Sequence, residues 1–220
     1  MPLLENKIIA IENVWLSYPD KNILEDINLD IYQGDFLLIT GPNGGGKTSL
    51  LRTILRLQSP TKGRISFFRQ GEPVSSLDMG YLPQKNSIDS RFPITVEEVV
   101  ASGLMGNTQK GNTKFDSKKE IDEMLDLMGI TALRNKPIGV LSGGQLQRSL
   151  FGRALISKPE MLILDEPASY IDRQFGNRMF EILRDLSSNG TTIMMVSHEI
   201  EPFITLSNRN LYINHILGDR

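Results

Sequence analysis

The chain has 220 residues, of which 40% are hydrophobic and 23% charged, and its formal net charge is −2. This length accommodates one sizeable α/β domain, or two small lobes that share a core. Because the sequence contains no cysteine and no basic surplus, disulfides, thiolate metal sites and iron–sulfur clusters are excluded and no nucleic-acid partner is expected. Neither a signal peptide nor an apolar run of roughly 18 residues is present, so we expect a soluble, cytoplasmic chain.

The first third of the chain predicts strands. Apolar residues alternate at 8–16 and 23–31, and the residues at 18–22 between these stretches are typical of a turn. A compact apolar run at 36–39, a glycine-rich segment at 41–46 and a helical pattern at 48–57 then predict strand, loop and helix. A further strand is expected at 63–68. Later runs at 161–164 and 192–196 are apolar on both faces, which is typical of strands buried in a parallel sheet.

The middle of the chain, 93–158, is predicted to be helical. Thr95 is expected to cap a helix that continues to residue 105, and Ser117 with Glu120 matches a capping box that opens another. The polar residues 106–116 between them predict a loop. Since no repeat or long linker interrupts the sequence, we expect one α/β domain, 1–220, with a core at 1–92 and 159–220 and a helical subdomain at 93–158.

The glycine-rich segment matches the phosphate-binding pattern GxxxxGK[ST] between a predicted strand and a predicted helix. Its residues, with the serine that follows, are Gly41, Pro42, Asn43, Gly44, Gly45, Gly46, Lys47, Thr48 and Ser49. Glycines allow successive backbone N–H groups to surround an anion, and the helix adds the positive end of its dipole. The lysine can bind the β- and γ-phosphates, and the threonine hydroxyl can bind Mg²⁺. The alternative is a glycine-rich turn with a solvent-facing lysine.

A second candidate phosphate-binding element lies at 141–145, directly before an apolar helical pattern. It consists of Ser142, placed to cap the helix, followed by Gly143, Gly144 and Gln145. By itself this pattern is only a capped helix start, but it occurs together with a phosphate loop. The letters LSGGQ reproduce the signature of the ABC ATPase family, which the sequence resembles over nearly its whole length. The resemblance implies a P-loop NTPase core with a mostly parallel sheet, an N-terminal antiparallel β subdomain and a helical subdomain.

The resemblance also implies a set of residues around Mg-ATP. Asp165 and Glu166 end a predicted strand and are similar to the family's metal-binding aspartate and water-polarising glutamate. Gln84 resembles the glutamine that contacts Mg²⁺ or water, and His198 the histidine that contacts the γ-phosphate. In isolation, two acidic residues at a strand end are usually solvated, and a single histidine after a strand is usually structural.

Two more residues take their interpretation from the family. Tyr18 lies where the family stacks an aromatic ring on adenine, and its alternative is a turn tyrosine packed on the first strand pair. Asp172 lies in a segment, 169–172, that resembles the loop crossing the family's dimer. His215 matches no motif and is interpreted as a surface residue.

The resemblance implies partners as well. ATP on the phosphate loop of one copy is expected to be closed by Ser142–Gln145 of a second copy. The segment 92–100 and residues 168–172 resemble the branch that serves zinc, manganese or iron-chelate importers. This branch implies a membrane permease, an extracytoplasmic metal-binding protein, and a location at the cytoplasmic face of the membrane. The alternatives are a capped helix start without partner information, another transporter class, or a soluble ABC ATPase.

Overall fold

The computed structural model describes residues 6–84, 92–105, 114–169, 171–198, 201 and 203–219. Its elements, in chain order, are β1 (Lys7–Tyr18), β2 (Lys21–Tyr32), β3 (Phe36–Thr40), α1 (Lys47–Ile54), β4 (Lys62–Arg69), β5 (Glu72–Val74), β6 (Met79–Leu82), α2 (Val96–Ser102), α3 (Lys114–Leu127), α4 (Gly143–Leu155), β7 (Met161–Asp165), α5 (Arg173–Ser188), β8 (Thr192–Val196), β9 (Arg209–Asn214) and β10 (Ile216–Asp219), with short 3-10 helices at Thr131–Leu133 and Ile138–Val140. They form two compact units, Met1–Leu77 with Phe180–Arg220, and Asp78–Met179.

The first unit contains an antiparallel sheet with the strand order β2-β1-β4-β5. Tyr18 at the end of β1 pairs with Lys21 at the start of β2, so the turn between them is confined to Pro19 and Asp20. The wider turn expected at 18–22 is therefore wrong at both ends, because the strands pair as far as the turn allows. The apolar alternation of β1 is confirmed, since one face of the strand is buried at Ile9, Ile11, Val14 and Leu16.

The same unit contains the parallel strands expected from the sequence. β3 pairs in parallel with β8 on one side and with β9 on the other, and β10 pairs antiparallel with β9. Every residue of β3 and β8 is buried. Their continuous apolar runs are thereby explained, because a strand with both faces covered has no solvent side to alternate with.

The second unit combines a short parallel pair, β6 and β7, with the helices α2, α3 and α4. Thr95 caps α2 through a full capping box with Glu98, as expected, but the helix ends at Ser102 rather than at residue 105. α3 begins at Lys114, so the expected start at Ser117 is wrong. Ile121 and Leu125, four residues apart on one face of this helix, are buried.

The second unit is wider than the helical subdomain expected at 93–158, because β6 and β7 belong to it. A close approach explains this: a Cβ on Gly80 of β6 would lie 2.1 Å from the carbonyl oxygen of Ala154 in α4. The expected loop at 106–116 lies largely outside the described residues, as do 85–91 after Gln84. Among the residues that are described, no helix has the length and apolar content to cross a bilayer.

Candidate functional site

The phosphate loop connects β3 to α1, and its glycines are required by its surroundings. Gly41 and Gly46 adopt positive φ angles of 143° and 99°. A Cβ on Gly41 would lie 2.0 Å from the carbonyl oxygen of Ile213, and one on Gly46 would lie 2.7 Å from that of Ile23. The loop therefore passes between β9 and the start of β2, where only a residue without a side chain fits.

Lys47 is the first residue of α1 and is 6% exposed. Its Nζ donates to the carbonyl oxygens of Gly41 and Pro42 at 2.9 and 2.8 Å. The alternative of a solvent-facing lysine is therefore wrong. The ammonium group is held over the start of the loop, at the N-terminus of a helix whose dipole also favours anions.

His198 and the phosphate loop leave the sheet at the same edge. Ile39 of β3 aligns with Val196 of the parallel strand β8, and the Ser197 amide donates to the Ile39 carbonyl at 3.3 Å. His198 follows directly and is exposed. A position at the carboxyl ends of parallel strands, beside the loop, is where ligands bind in open α/β sheets.

His215 contacts the phosphate loop, so its interpretation as an ordinary surface residue is wrong. Its backbone N–H donates to the Gly45 carbonyl at 2.9 Å, and its ring Nδ1 lies 3.2 Å from the Ile23 carbonyl oxygen. The residue connects β9 to β10 with a positive φ of 65°. Sequence reasoning missed this contact because it joins residues 170 positions apart.

Tyr18 is 56% exposed, which argues against the alternative of a ring packed on the first strand pair. Its hydroxyl accepts a hydrogen bond from Gln58 Nε2 at 2.7 Å. Gln58 lies shortly after α1, so this bond ties the end of the β1–β2 hairpin to the helix that begins at the phosphate loop.

In the second unit, the parallel pair β6 and β7 brings three predicted site residues to one edge. Asp165 is the last residue of β7 and is 1% exposed. Glu166 follows with a positive φ of 53°, which is unusual for a residue with a side chain. Gln84 follows β6, and its Nε2 donates to Glu166 Oε2 at 3.1 Å. The carboxyl ends of neighbouring strands thus carry the Glu166 carboxylate, the Gln84 amide and the buried Asp165 carboxylate.

The signature element forms the N-terminus of α4, and the expected cap is confirmed. The Gln145 amide donates to Ser142 Oγ at 3.2 Å, while the Ser142 amide donates to Gln145 Oε1 at 3.0 Å. An open pocket of about 640 Å³ lies beside this cap. It is lined by Ser142, Gly143, Gly144 and Gln145, by Arg148 and Asp172, and by Gly129, Ile130, Ala132 and Leu133.

Asp172 lines the same pocket as the signature, and the sequence did not directly predict that the two lie together. Arg148 also lines this pocket, and sequence reasoning missed it. An Arg148 Nη2 group pairs with Asp172 Oδ2. The pKa of Asp172 is held below its usual value by the Phe175 backbone amide and further by Arg148. The sequence did contain a signal that Arg148 lies near the signature. Residues three apart on a helix share a face, and Arg148 lies three positions after Gln145. Tyr170, within the same resemblance, lies outside the described residues.

Several known proteins are similar to this chain. The sequence profile described as ABC transporter matches residues 24–169. A protein of Chlamydia pneumoniae named "Probable metal transport system ATP-binding protein" is 39% identical over 95% of this chain and 87% of its own length. The zinc uptake system ATP-binding protein ZurA of Listeria innocua is 37% identical over 97% of this chain and 82% of its own. The dimeric structure of MJ0796, a bacterial ABC transporter cassette, superposes with a TM-score of 0.82 at 25% identity, covering 96% of this chain and 98% of that one.

The fold expected from the sequence is thereby confirmed, with its P-loop NTPase core, N-terminal antiparallel β subdomain and helical subdomain. The phosphate loop, 41–48, and the signature, 141–145, both lie within the matched residues 24–169. The chain therefore belongs to the ABC transporter family, as an ATP-binding and ATP-hydrolysing cassette.

Proposed function

We propose that this chain hydrolyses Mg-ATP as one half of a homodimer and energises metal import, of zinc or manganese or of a metal chelate, through a separate membrane permease. The observation that carries the hydrolytic part is the Gln84–Glu166 hydrogen bond beside Asp165, which puts two carboxylates and an amide at one edge of the sheet. The relatives named for metal transport and zinc uptake support the cargo.

The phosphate loop, Gly41–Thr48 with Ser49, binds the triphosphate in this proposal. Lys47 supplies the positive charge for the β- and γ-phosphates, and the backbone N–H groups of the loop surround their oxygens. Tyr18 stacks on the adenine ring. The exposure of the Tyr18 ring and the fixed position of the Lys47 ammonium support these roles.

Mg²⁺ is assigned to Thr48, Gln84 and Asp165. A hydroxyl, an amide oxygen and a carboxylate form an oxygen-only donor set with few protein ligands, which fits a cation that keeps several of its waters. Asp165 supports this assignment because it ends β7 directly before Glu166 and is only 1% exposed, which suits a carboxylate that binds a cation away from bulk water. When bound, the ion neutralises charge that develops on the phosphate oxygens.

Glu166 acts as the general base on the attacking water. The water oxygen forms a bond to the γ-phosphorus, its proton passes to Glu166, and the bond from phosphorus to the β–γ bridging oxygen breaks. Gln84 orients the Glu166 carboxylate by its hydrogen bond, and His198 contacts the γ-phosphate. ADP and phosphate are the products.

The second copy completes the site. The partner's signature covers the open side of the γ-phosphate with Ser142, Gly143, Gly144 and Gln145. Asp172 lies at the dimer contact. The open pocket beside the signature supports this arrangement, because a helix N-terminus there favours an anionic group from outside the unit. The dimeric form of the similar cassette is consistent with it.

The permease is assigned to the helical subdomain, which we place at 93–158 with the catalytic core at 1–92 and 159–220, and to Phe92 directly before this subdomain. The second unit exposes large apolar side chains, with Phe92 62% exposed and Val140 68% exposed. The two lie on neighbouring segments, since the Ile138 amide donates to the Ile94 carbonyl at 2.9 Å. Docking there would hold the chain at the cytoplasmic face of the membrane, and an extracytoplasmic protein would deliver the metal.

A mixture of two variants tests the shared site. Lys47→Ala removes the phosphate lysine but leaves the signature intact. Ser142→Asp keeps an oxygen that can cap α4 but puts negative charge where the γ-phosphate should bind. Each variant alone should be nearly inactive, and their mixture should recover one working site per mixed dimer. An inactive mixture, with mixed dimers demonstrated by cross-linking of tagged copies, would overturn the shared site.

A further inference from the structure

Arg148 lies in α4, on the signature helix, and belongs to a closed cluster of three side chains. Its guanidinium pairs with the Asp172 carboxylate, and its Cζ lies 4.4 Å from the centre of the Phe175 ring. The cluster closes because the Phe175 backbone amide donates to the other Asp172 oxygen at 2.9 Å. A planar guanidinium stacked on a ring and paired with a carboxylate is held in both direction and distance.

The preceding residue makes a second link between the same elements. Gln147 is 1% exposed, and its Nε2 donates to the Pro167 carbonyl at 3.2 Å. Within the described residues, its Oε1 accepts no hydrogen bond. Burying an amide with one unsatisfied acceptor costs free energy that an apolar residue of the same size would not. The bond to Pro167 therefore joins this buried amide to the chain that follows β7.

The two links contact residues that follow the proposed base, Glu166. Pro167 is the neighbour of Glu166, and the Ser169 amide donates back to the Glu166 carbonyl at 3.3 Å. Glu166 adopts a positive φ of 53°, a conformation that a side-chain-bearing residue keeps only when its surroundings hold it. Gln147 and Arg148 therefore tie the signature helix to the chain on the C-terminal side of Glu166, at Pro167 and at Asp172.

Arg148 also lines the pocket beside the signature, together with Asp172 and Ser142–Gln145. Its side chain is 23% exposed, whereas that of Asp172 is 57% exposed. A cation so close to a predicted phosphate site would act on the nucleotide if it were free to turn. Paired with Asp172 and stacked on Phe175, it is directed instead toward the residues after Glu166.

We propose that Arg148 is a positioning residue, which fixes the signature helix relative to the Glu166 region of the same copy. Through this connection the two ATP sites of the dimer respond to each other. This inference rests on the proposed shared site. In that arrangement the signature of a copy serves the partner's ATP, whereas Glu166 of the same copy serves its own. A rigid connection within one chain is then a connection between the two sites.

The mixture of Lys47→Ala and Ser142→Asp copies gives a direct test, because its one working site uses the signature of the first copy and Glu166 of the second. Arg148→Met is placed in either copy in turn. The proposal expects turnover to fall on the order of tenfold in both placements, as for other small misplacements of catalytic groups. The apparent ATP affinity should stay within about twofold, since Arg148 does not bind the nucleotide in this arrangement.

Matched variants separate positioning from folding. Arg184 in α5 forms an exposed pair with Glu181, so Arg184→Met makes the same chemical change in a pair that involves neither Arg148 nor Asp172, and it should leave turnover and melting temperature unchanged. Arg148→Lys, which keeps the charge, should recover part of the lost turnover. Asp172→Asn keeps an oxygen to cap α5, and its effect should not add to that of Arg148→Met, because both remove the same link.

Each outcome decides a different point. If the parent mixture is inactive, the shared site of the proposed function is overturned, and Arg148 is then tested by turnover of the uniform variant. If the parent mixture is active and Arg148→Met lowers turnover in one placement only, or in neither, the coupling role is overturned. A loss of turnover that tracks a lowered melting temperature, with no recovery by Arg148→Lys, would overturn positioning in favour of a folding role.

Discussion

Gln84 donates a hydrogen bond from Nε2 to Glu166 Oε2 at 3.1 Å, across the carboxyl ends of β6 and β7. The bond fixes the direction of the Glu166 carboxylate relative to the end of β6. Since the amide carries no charge, it orients the carboxylate without stabilising it as strongly as a lysine or arginine would. An uncharged donor suits the proposed role of Glu166 as a proton acceptor.

The first prediction concerns Glu166→Gln. Removing the base should lower turnover by roughly 10²–10⁴, while ATP still binds. The neutral amide should also favour a stable ATP-bound dimer, because hydrolysis no longer separates the copies. Turnover at saturating ATP and size-exclusion chromatography with and without ATP measure both effects. A variant with nearly unchanged turnover would show that Glu166 is not the base.

The second prediction concerns Gln84→Glu. This change removes the donor and puts a second carboxylate beside Glu166, where two like charges at hydrogen-bond distance repel each other. The Glu166 carboxylate should turn away from its present position, so turnover at saturating ATP should fall on the order of tenfold or more. Gln33→Glu, the same change at an exposed position, serves as the control and should leave turnover unchanged. Unchanged turnover in Gln84→Glu would contradict the contact.

The third prediction concerns Tyr18. Stacking of an aromatic ring on a base is worth about 1–3 kcal/mol, so Tyr18→Ala should weaken ATP binding about tenfold or more. Tyr18→Phe keeps the ring but loses the bond from Gln58, and Gln58→Ala loses the same bond from the other side. Both should change the ATP dissociation constant by less than about threefold, consistent with one exposed hydrogen bond. Equal losses in Tyr18→Ala and Tyr18→Phe would assign the effect to the hydroxyl instead of the ring.

The sequence predicted the elements that depend on neighbouring residues. The strand, loop and helix between Phe36 and Ile54 follow from an apolar run, glycines and a helical pattern, and the caps at Thr95 and Ser142 follow from spacings of three residues. These features need no knowledge of distant parts of the chain. These locally predicted features include the phosphate loop between β3 and α1 and the signature at the start of α4.

Contacts between distant residues could not be predicted in the same way. The His215 bond to the phosphate loop and the close approach of Ile213 to Gly41 require β9 to lie beside β3, which no local pattern shows. The early start of α3 was missed because its first residues, 114–116, carry no periodic apolar signal. The link from Arg148 to Asp172 depends on how α4 packs near the end of β7, although both residues belong to segments that the sequence singled out.

The last prediction concerns the permease and its cargo, and it uses Phe92, which is 62% exposed in the second unit. Phe92→Asp puts a charge into an apolar contact, where it cannot be solvated without cost. The isolated chain should therefore keep its ATPase activity, while metal uptake in cells is lost. Radiolabelled zinc uptake, in a strain whose own copy is deleted and replaced by the variant, measures the second effect. Growth under metal chelation, with zinc, manganese or iron added back, identifies the cargo.

Leu57→Asp is the matched control for this experiment, because Leu57 is a similarly exposed apolar residue, at 66%, in the other unit. It should reduce neither ATPase activity nor uptake, so a loss specific to Phe92→Asp would place the permease contact on the second unit. Loss of uptake in both variants would instead indicate a general effect of added charge. If the deletion strain takes up metal normally and no second importer is present, metal import is the wrong cargo. The ATPase assignment would stand, since it depends on Lys47, Asp165 and Glu166 and not on the surface around Phe92.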